Sequence, residues 1–480
     1  METGINKIPN SDRIGDSIMA MVKEKGFYSN FFSMWIVLVL QNVVTLSVNL
    51  ADNMMLGAYS ETSLSGVAAV NQVQFIYQYL LLAVGEGIVI IGSQYFGKKN
   101  TDPIRKLSGL ALRIALVMAV ILFAIMSIFP HLVLSAFTTD EAIIREGMRY
   151  VTVIRFTYVF FAVTQILLAT LRSTGVVNIA LYLSVITLLI NCSINYTLIY
   201  GHFGAPRMGV VGAAIGTLVA RIIETTVVIL YMIRKEKNIH LKAADVVRGT
   251  DPVLAQDYVK VIIPMLIINA LWGFNNAVQN AILGHMTARA IAANSVATTL
   301  FLMVKSTGQG SASTASFIVG HAIGEGKKDQ LRDYAKTLQI LFLLIGIASG
   351  LILYLIRVPI LNVYNLTPET KEMANRFLII LSVVCVGMSY QMPTNAGIIR
   401  GGGDTKYCMI VDLVSIWGIV IPISFIMAFV VKASPEIVVI CLNADQIFKG
   451  IPAFIKCNYG HWAKKLTRDE ADGEGEAAAG

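Results

Sequence analysis

Charged residues are scarce in this chain. Only 14% of its 480 residues are Asp, Glu, Lys or Arg while 55% are hydrophobic, so no water-facing surface could cover it, and a mean hydropathy of +0.67 agrees. Cysteine is almost as rare: Cys192, Cys385, Cys408, Cys441 and Cys457 sit in or beside apolar segments without paired spacing, which excludes a disulfide framework and a thiolate metal site. The six histidines are scattered. No HExxH, CxxC, GxSxG or Walker-type loop is present, so hydrolytic, redox and ATP-driven chemistry have no visible machinery, and GEGKK at Gly324–Lys328 reads as a loop turn. The chain therefore reads as a non-enzyme with no cofactor.

What the chain has in excess is long apolar runs. Taking about 20 residues as the length that crosses a bilayer core, twelve runs qualify: 30–58, 69–96, 107–134, 148–171, 176–200, 209–233, 260–284, 291–323, 336–356, 374–399, 408–431 and 434–456. The expected fold is an all-α polytopic membrane protein of twelve transmembrane helices in two pseudo-symmetric six-helix lobes.

The two lobes follow from an internal repeat. NLADNMMLG (Asn49–Gly57) and NAVQNAILG (Asn276–Gly284) share their Asn, Asn, Leu and Gly at one spacing, about 227 residues apart. The offset persists through Asn42 and Asn269, Gly97 and Gly324, Arg105 and Arg332, Phe137 and Tyr364, and Arg149 and Arg376, and slips by one residue at the Gly-rich elbows Arg172–Gly175 and Arg400–Gly403. One difference stands out: Asp52 of the first copy is Gln279 in the second. An acid inside a span costs roughly 3 kcal/mol on insertion scales and persists where it binds or relays something.

Charge sets the expected orientation. Lys98, Lys99, Arg105 and Lys106; Arg234, Lys235, Lys237 and Lys242; Lys327, Lys328 and Arg332; and Lys464, Lys465 and Arg468 all fall on one side of a twelve-span topology, whereas the opposite loops at 57–65, 138–147 and 366–373 are neutral or acidic. Both termini are thus expected in the cytoplasm, and the net charge of +8 reflects topology, not nucleic-acid binding. The domain reading is a cytoplasmic N-terminal segment 1–29 without a cleavage signal, an N-lobe 30–233, a charged linker 234–258 carrying the Thr250–Pro252 turn, a C-lobe 259–457 and an acidic disordered tail 458–480.

Counting inward at about 1.5 Å per residue places Asp52 about 9 Å below the outer surface, level with Asn191 and Asn195 on the fifth helix and Thr217 on the sixth. The i, i+4 spacing of Asn191 and Asn195 puts both amides on one helix face. Asn and Thr in membrane helices serve more often as interhelical hydrogen-bond glue, but Asp52 at the same level makes a cation-coupling cluster the sharper reading. Between Na+ and H+ the residues discriminate little; amide oxygens favour Na+, held at Asp52, Asn191 and Asn195, because hard cations want several oxygen ligands.

NLADNMMLG, GSQYFGKKN, LLINCSINYTLIYG, GVVGAAIGT and IIRGGGDTK, in this order over residues 30 to 460, resemble the multidrug and toxic compound extrusion (MATE) transporters. The resemblance implies secondary active efflux of organic, cationic and amphipathic compounds in exchange for Na+ or H+, by alternating access through a cavity between two lobes. It also implies a bacterial inner-membrane location, Asp52 as the coupling carboxylate, and Asn191, Asn195 and Thr217 as its partners. The chain departs from the family where some members have an Asp at the position of Asn195, many a Glu near Asn269 or Trp272, and some an Asp near Ser389. Val37 stands where the family commonly has a helix-1 proline, although the second copy keeps Pro264.

Other polar residues at membrane depth divide by local pairing. Arg221 with Glu224, and Asp412 and Asp445, read as structural anchors of their lobes. Glu86 and Lys305, without local partners, read as substrate-cavity candidates together with Gln279, Asn276, Trp272, Asn42 and Asn269, Trp272 offering a cation–π face. A monomer is expected, with a small organic substrate, a monovalent cation and the lipid bilayer as its partners. The alternative is a flippase or exporter of a lipid-linked or natural-product substrate on the same two-lobe plan, which requires an arginine-rich cavity.

Overall fold

The computed structural model describes residues 21–468 apart from Lys23, Lys237, Arg248, His285, Thr287 and 364–366. Among the described residues, twelve long helical stretches succeed one another. They are α1 (Lys25–Tyr59), α2 (Glu61–Gly97), α3 (Asp102–Ile128), α4 (Glu141–Ile154 continued by Thr157–Ser173), α5 (Asn178–Tyr200), α6 (Val210–Arg234), α7 (Pro252–Gly284), α8 (Ala288–Gly324), α9 (Lys328–Val363), α10 (Pro368–Ile399), α11 (Thr405–Val430) and α12 (Pro435–Tyr459). Ten of these stretches are individually long and apolar enough to cross a membrane, and the two halves of α4 make an eleventh. The Ser-, Thr- and Gly-rich α8 is a further helix of 37 residues outside that set.

The helices overrun the apolar runs because their polar ends are capped. Asp140 accepts from the amides of Ala142 and Ile143 at the start of α4, Thr367 from Thr370 at α10, and Ser60 from Ser63 at α2. Two features depart from the sequence-based expectation. α4 bends by 58° at Arg155–Phe156, where the Arg155 guanidinium lies over the rings of Phe123 and Phe156, and α7 begins at Pro252, inside the stretch expected as a linker. α1 is unbroken, as the absence of a proline at Val37 allows, while α7 accommodates Pro264.

The lobes are not separated cleanly along the chain. The first turns of α1 leave their own lobe: Phe27 and Phe31 are buried with Tyr334, Phe342 and Ile398 of the C-lobe, and the Trp35 indole donates to Thr307 O of α8 at 3.1 Å. The last turns of α1 return to the N-lobe, where Tyr200 of α5 donates to Met55 O at 2.8 Å. α7 mirrors this, its Tyr258 hydroxyl donating to Val84 O of α2 at 2.6 Å and Met265 lying in the N-lobe core. The lobes meet at the basic ends of their helices. There α2 and α8 cross so closely that a Cβ on Gly324 would collide with the backbone of Gln94.

The stretch His461–Arg468, expected as part of a disordered tail, is an extended strap across this seam. Lys464 N bonds Gly402 O of the C-lobe at 2.8 Å, while Gln94 of the N-lobe donates to Lys464 O at 3.1 Å and accepts from Leu466 N at 2.8 Å. Residues 469–480 lie outside the described residues.

Candidate functional site

Asp52 sits two turns from the end of α1, where the helix packs on α5. Asn195 Nδ2 donates to Asp52 Oδ1 at 2.6 Å and to Asn191 Oδ1 at 3.1 Å. Asn191 Nδ2 in turn donates to Thr217 Oγ1 of α6 at 3.2 Å, and Thr217 donates to Ala213 O at 3.1 Å. The four residues read from the sequence as one cluster therefore form one chain of hydrogen bonds spanning three helices. Asn191 and Asn195 are buried, and Asn195 Oδ1 has no hydrogen-bond partner. A buried carbonyl oxygen left unpaired costs about 1–3 kcal/mol unless something engages it, and this one belongs to the amide whose nitrogen holds Asp52 and faces Gly216. The fit depends on Gly216: a Cβ there would overlap Asn195 Oδ1.

One residue of this neighbourhood escaped the sequence reading. The hydroxyl of fully buried Tyr150, from the first half of α4, reaches Thr217. The pattern carried no signal for Tyr150, because the bend that turns that half toward α6 is a tertiary event. Arg221 pairs with Glu224 at 2.6 Å, as expected from their i, i+3 spacing, and stands over the Phe161 ring at 4.7 Å, within electrostatic reach of Asp52.

Among its described residues the second copy builds nothing comparable. Gln279, the counterpart of Asp52, donates to Asn275 Oδ1 of its own helix at 3.3 Å. Asn269 turns back to Met265 O at 3.0 Å, and Asn42 is half-buried on α1; the side chain of Asn276 lies outside the described residues. The positions about 227 residues after Asn191 and Asn195 are Gly418 and Pro422, which offer no amide.

Two readings of unpaired charge are corrected. Lys305 has a local partner, since its ammonium lies over the Trp272 ring at 4.3 Å. Trp272, read as a face for a cationic substrate, thus has one face covered by the protein's own cation. Glu86 also has a partner: the Arg400 guanidinium approaches Glu86 Oε2 at 2.9 Å, off the hydrogen-bond direction, and Arg172 lies within electrostatic reach of both. The sequence hid these contacts because each joins residues from opposite ends of the chain or from helices packed only in the fold. Both elbow arginines converge on one α2 carboxylate at the seam.

Asp412 and Asp445 are anchors, as expected, through a partner the reading missed. Lys449, 1% exposed, sits 2.9 Å from Asp412 Oδ1 and 2.9 Å from Asp445 Oδ2. Its i, i+4 spacing from Asp445 was the available signal.

The MatE family model matches residues 38–197 and 264–426, two stretches that start one repeat apart. The chain belongs to the MatE family. A probable multidrug resistance protein NorM of Thermotoga maritima is 26% identical over 441 residues, covering 89% of this chain and 92% of that protein. The probable multidrug resistance protein YoeA of Bacillus subtilis is 25% identical over 454 residues, covering 90% and 93%. Among solved structures, a MATE protein in the straight conformation superposes with a TM-score of 0.81 at 17% identity, covering 89% of this chain and 94% of that one. The Vibrio cholerae MATE transporter VcmN superposes with 0.84 at 14%, covering 94% and 99%. This membrane-embedded MatE protein is accordingly a transporter of small molecules and not an enzyme.

Proposed function

We propose that this MatE protein is a secondary active efflux antiporter that exports organic, cationic and amphipathic compounds in exchange for Na+ or H+, coupled through Asp52. The observation that carries the reading is the hydrogen-bonded chain Asp52–Asn195–Asn191–Thr217, in which Asn195 Oδ1 is left unpartnered. A carboxylate and an amide oxygen on separate helices form a ligand pair for a hard monovalent cation, and the same carboxylate can take a proton. Multidrug resistance, in the names of the relatives, supports the substrate class.

Coupling has a mechanical route in α1. Its outer half carries Asp52 against α5 and its inner half is packed into the C-lobe through Phe27, Phe31 and Trp35. A cation or proton that weakens the Asn195–Asp52 bond therefore acts on a helix shared by both lobes. A ligand shifts a conformational equilibrium only by its differential affinity for the two states, and a site lying between α1 and α5 changes whenever α1 moves relative to the N-lobe. We place both termini in the cytoplasm from the basic ends, which makes the seam at Glu86, Arg400 and the strap the closed inner gate of an outward-facing monomer in the bacterial inner membrane. Arg221 and Arg400 are engaged by Glu224 and Glu86, which weighs against a lipid-linked phosphate substrate.

The test uses liposomes loaded with a fluorescent lipophilic cation, with an opposing Na+ gradient in one arm and a pH gradient in the other. Gradient-driven movement should appear in one arm and fall to the level of empty liposomes in Asp52→Asn. Coupled export in Asp52→Asn with unchanged Na+ and pH dependence would overturn the assignment.

A further inference from the structure

The hydrogen-bonded chain from Asp52 ends at Thr217, and one turn further along α6 stands Arg221, followed by Glu224 on the same face. Glu224 is 5% exposed, and the Arg221 guanidinium bonds it, Nη1 to Oε2, at 2.6 Å. Among the described residues that is the one hydrogen bond the guanidinium makes. The rest of its five-donor fork is unmet and lies over the Phe161 ring at 4.7 Å.

Two features of the helix make this hold weak. Side chains on an α-helix lean toward its N-terminus, so an arginine at 221 points by default back to Thr217, toward Asp52, and Glu224 draws it the other way. A cation that precedes its acid is also the less favourable order along a helix.

The charges here do not balance. Asp52 and Glu224 are two carboxylates for one guanidinium, and Arg221 is within electrostatic reach of Asp52. Tyr150 and Cys192, which also feel Asp52, are uncharged at neutral pH. The interior is therefore short of a single positive charge, that of one monovalent cation. A guanidinium released by Glu224 would supply that charge from within.

We propose that Glu224 is a positioning residue of the coupling reaction: it holds the Arg221 guanidinium off Asp52, so that the place opposite the carboxylate is left to a mobile monovalent cation. The inference rests on the reading of Asp52 as the coupling carboxylate. Without Glu224 the tethered cation competes with the mobile one for Asp52.

The experiment follows thermal unfolding of the full chain in detergent, titrated with NaCl against choline chloride at constant ionic strength and, separately, with pH in choline chloride. A Tm rise that is lost in Asp52→Asn reports the coupling ion. In Glu224→Gln the half-saturating ion concentration of that rise should increase roughly tenfold or more. Arg221→Met/Glu224→Met removes the competitor and should bring it back to within about threefold of the wild-type chain. Lost packing lowers the starting Tm of either variant, but it does not move the half-saturation of an ion-dependent rise. Should Glu224→Gln not purify, Glu224→Asp, which withdraws the carboxylate by one carbon, should raise the half-saturation roughly threefold, and an unchanged value there overturns the proposal. With the rise lost in Asp52→Asn, a half-saturation unchanged in Glu224→Gln, or shifted alike in the single and double variants, overturns this inference alone. No ion-dependent rise in the wild-type chain, or a rise that survives Asp52→Asn, overturns the Asp52 reading and this inference with it.

Discussion

The two halves of this protein began as one design and diverged in where they put charge. In the N-lobe the carboxylate of the repeat is kept on α1, and α5 and α6 supply two amides and a hydroxyl to meet it, with one amide oxygen left over. In the C-lobe the same position is Gln279, bonded within its own helix, and the buried charge has moved to Asp412, Lys449 and Asp445. The first arrangement leaves an oxygen unsatisfied, as the proposed cation site requires; the second is closed on itself and holds helices together. The difference teaches that a buried acid in a membrane lobe is to be judged by its partners. On the proposed reading, Asp445 with a lysine against it is scaffold, and Asp52, bonded by the Asn195 amide, is a site.

The strongest way to break this comparison is to move the carboxylate. In Asp52→Asn/Gln279→Asp the chain keeps one acid at a repeat position, but α11 has Gly418 and Pro422 where α5 has its amides. Gradient-driven efflux in liposomes should stay at background, and recovery would show that the lobes are interchangeable. Next in size, Lys449→Met leaves buried Asp445 and half-buried Asp412 together without their cation, which should cost about 3–5 kcal/mol. A fall in detergent-phase thermal stability, with the ion dependence of residual transport unchanged, is the expected signature of scaffold.

A smaller effect is expected at Gly216→Ala, which inserts a methyl where Asn195 Oδ1 lies and should cost about 1–3 kcal/mol. Here the ion dependence should weaken more than stability does, the reverse of Lys449→Met, and equal losses would erase the contrast. Smallest is the strap. Burial pushes the Asp404 carboxyl up, but Lys464 and Lys456 outweigh it and hold it below the usual carboxylate range. A depressed pKa gives stability that is complete at neutral pH and is lost only as pH falls below about 4 through the folded value. Asp404→Asn should therefore loosen residues 461–468 by about 1 kcal/mol at pH 7. Faster hydrogen exchange there should mark the change, and the difference from the wild-type chain should vanish in strong acid.

Much of the site was legible in the sequence because its components obey local rules. The i, i+4 pair Asn191 and Asn195 must share a face once α5 is helical, and the repeat exposed Asp52 by showing what the other copy has instead. The seam was not legible. Glu86 and Lys305 read as lone charges because their partners, Arg400 and Trp272, come from other helices. Tyr150 reaches Thr217 only because α4 bends where no proline or glycine announces it. The segment after Tyr459 reads as polar tail, and its order comes from hydrogen bonds to both lobes.

The sequence by itself determined the membrane location, twelve helices in two copies and the single odd carboxylate. Hydrophobic length, repeat offset and helical periodicity act within one segment or between segments of equal register, and need no knowledge of what packs against what. Only the tertiary structure decided which charges are neutralised and which oxygen is left unpaired. Coulombic and hydrogen-bond partners act over a few ångströms in space, and α1, shared between two lobes, brings together residues that the chain keeps hundreds of positions apart.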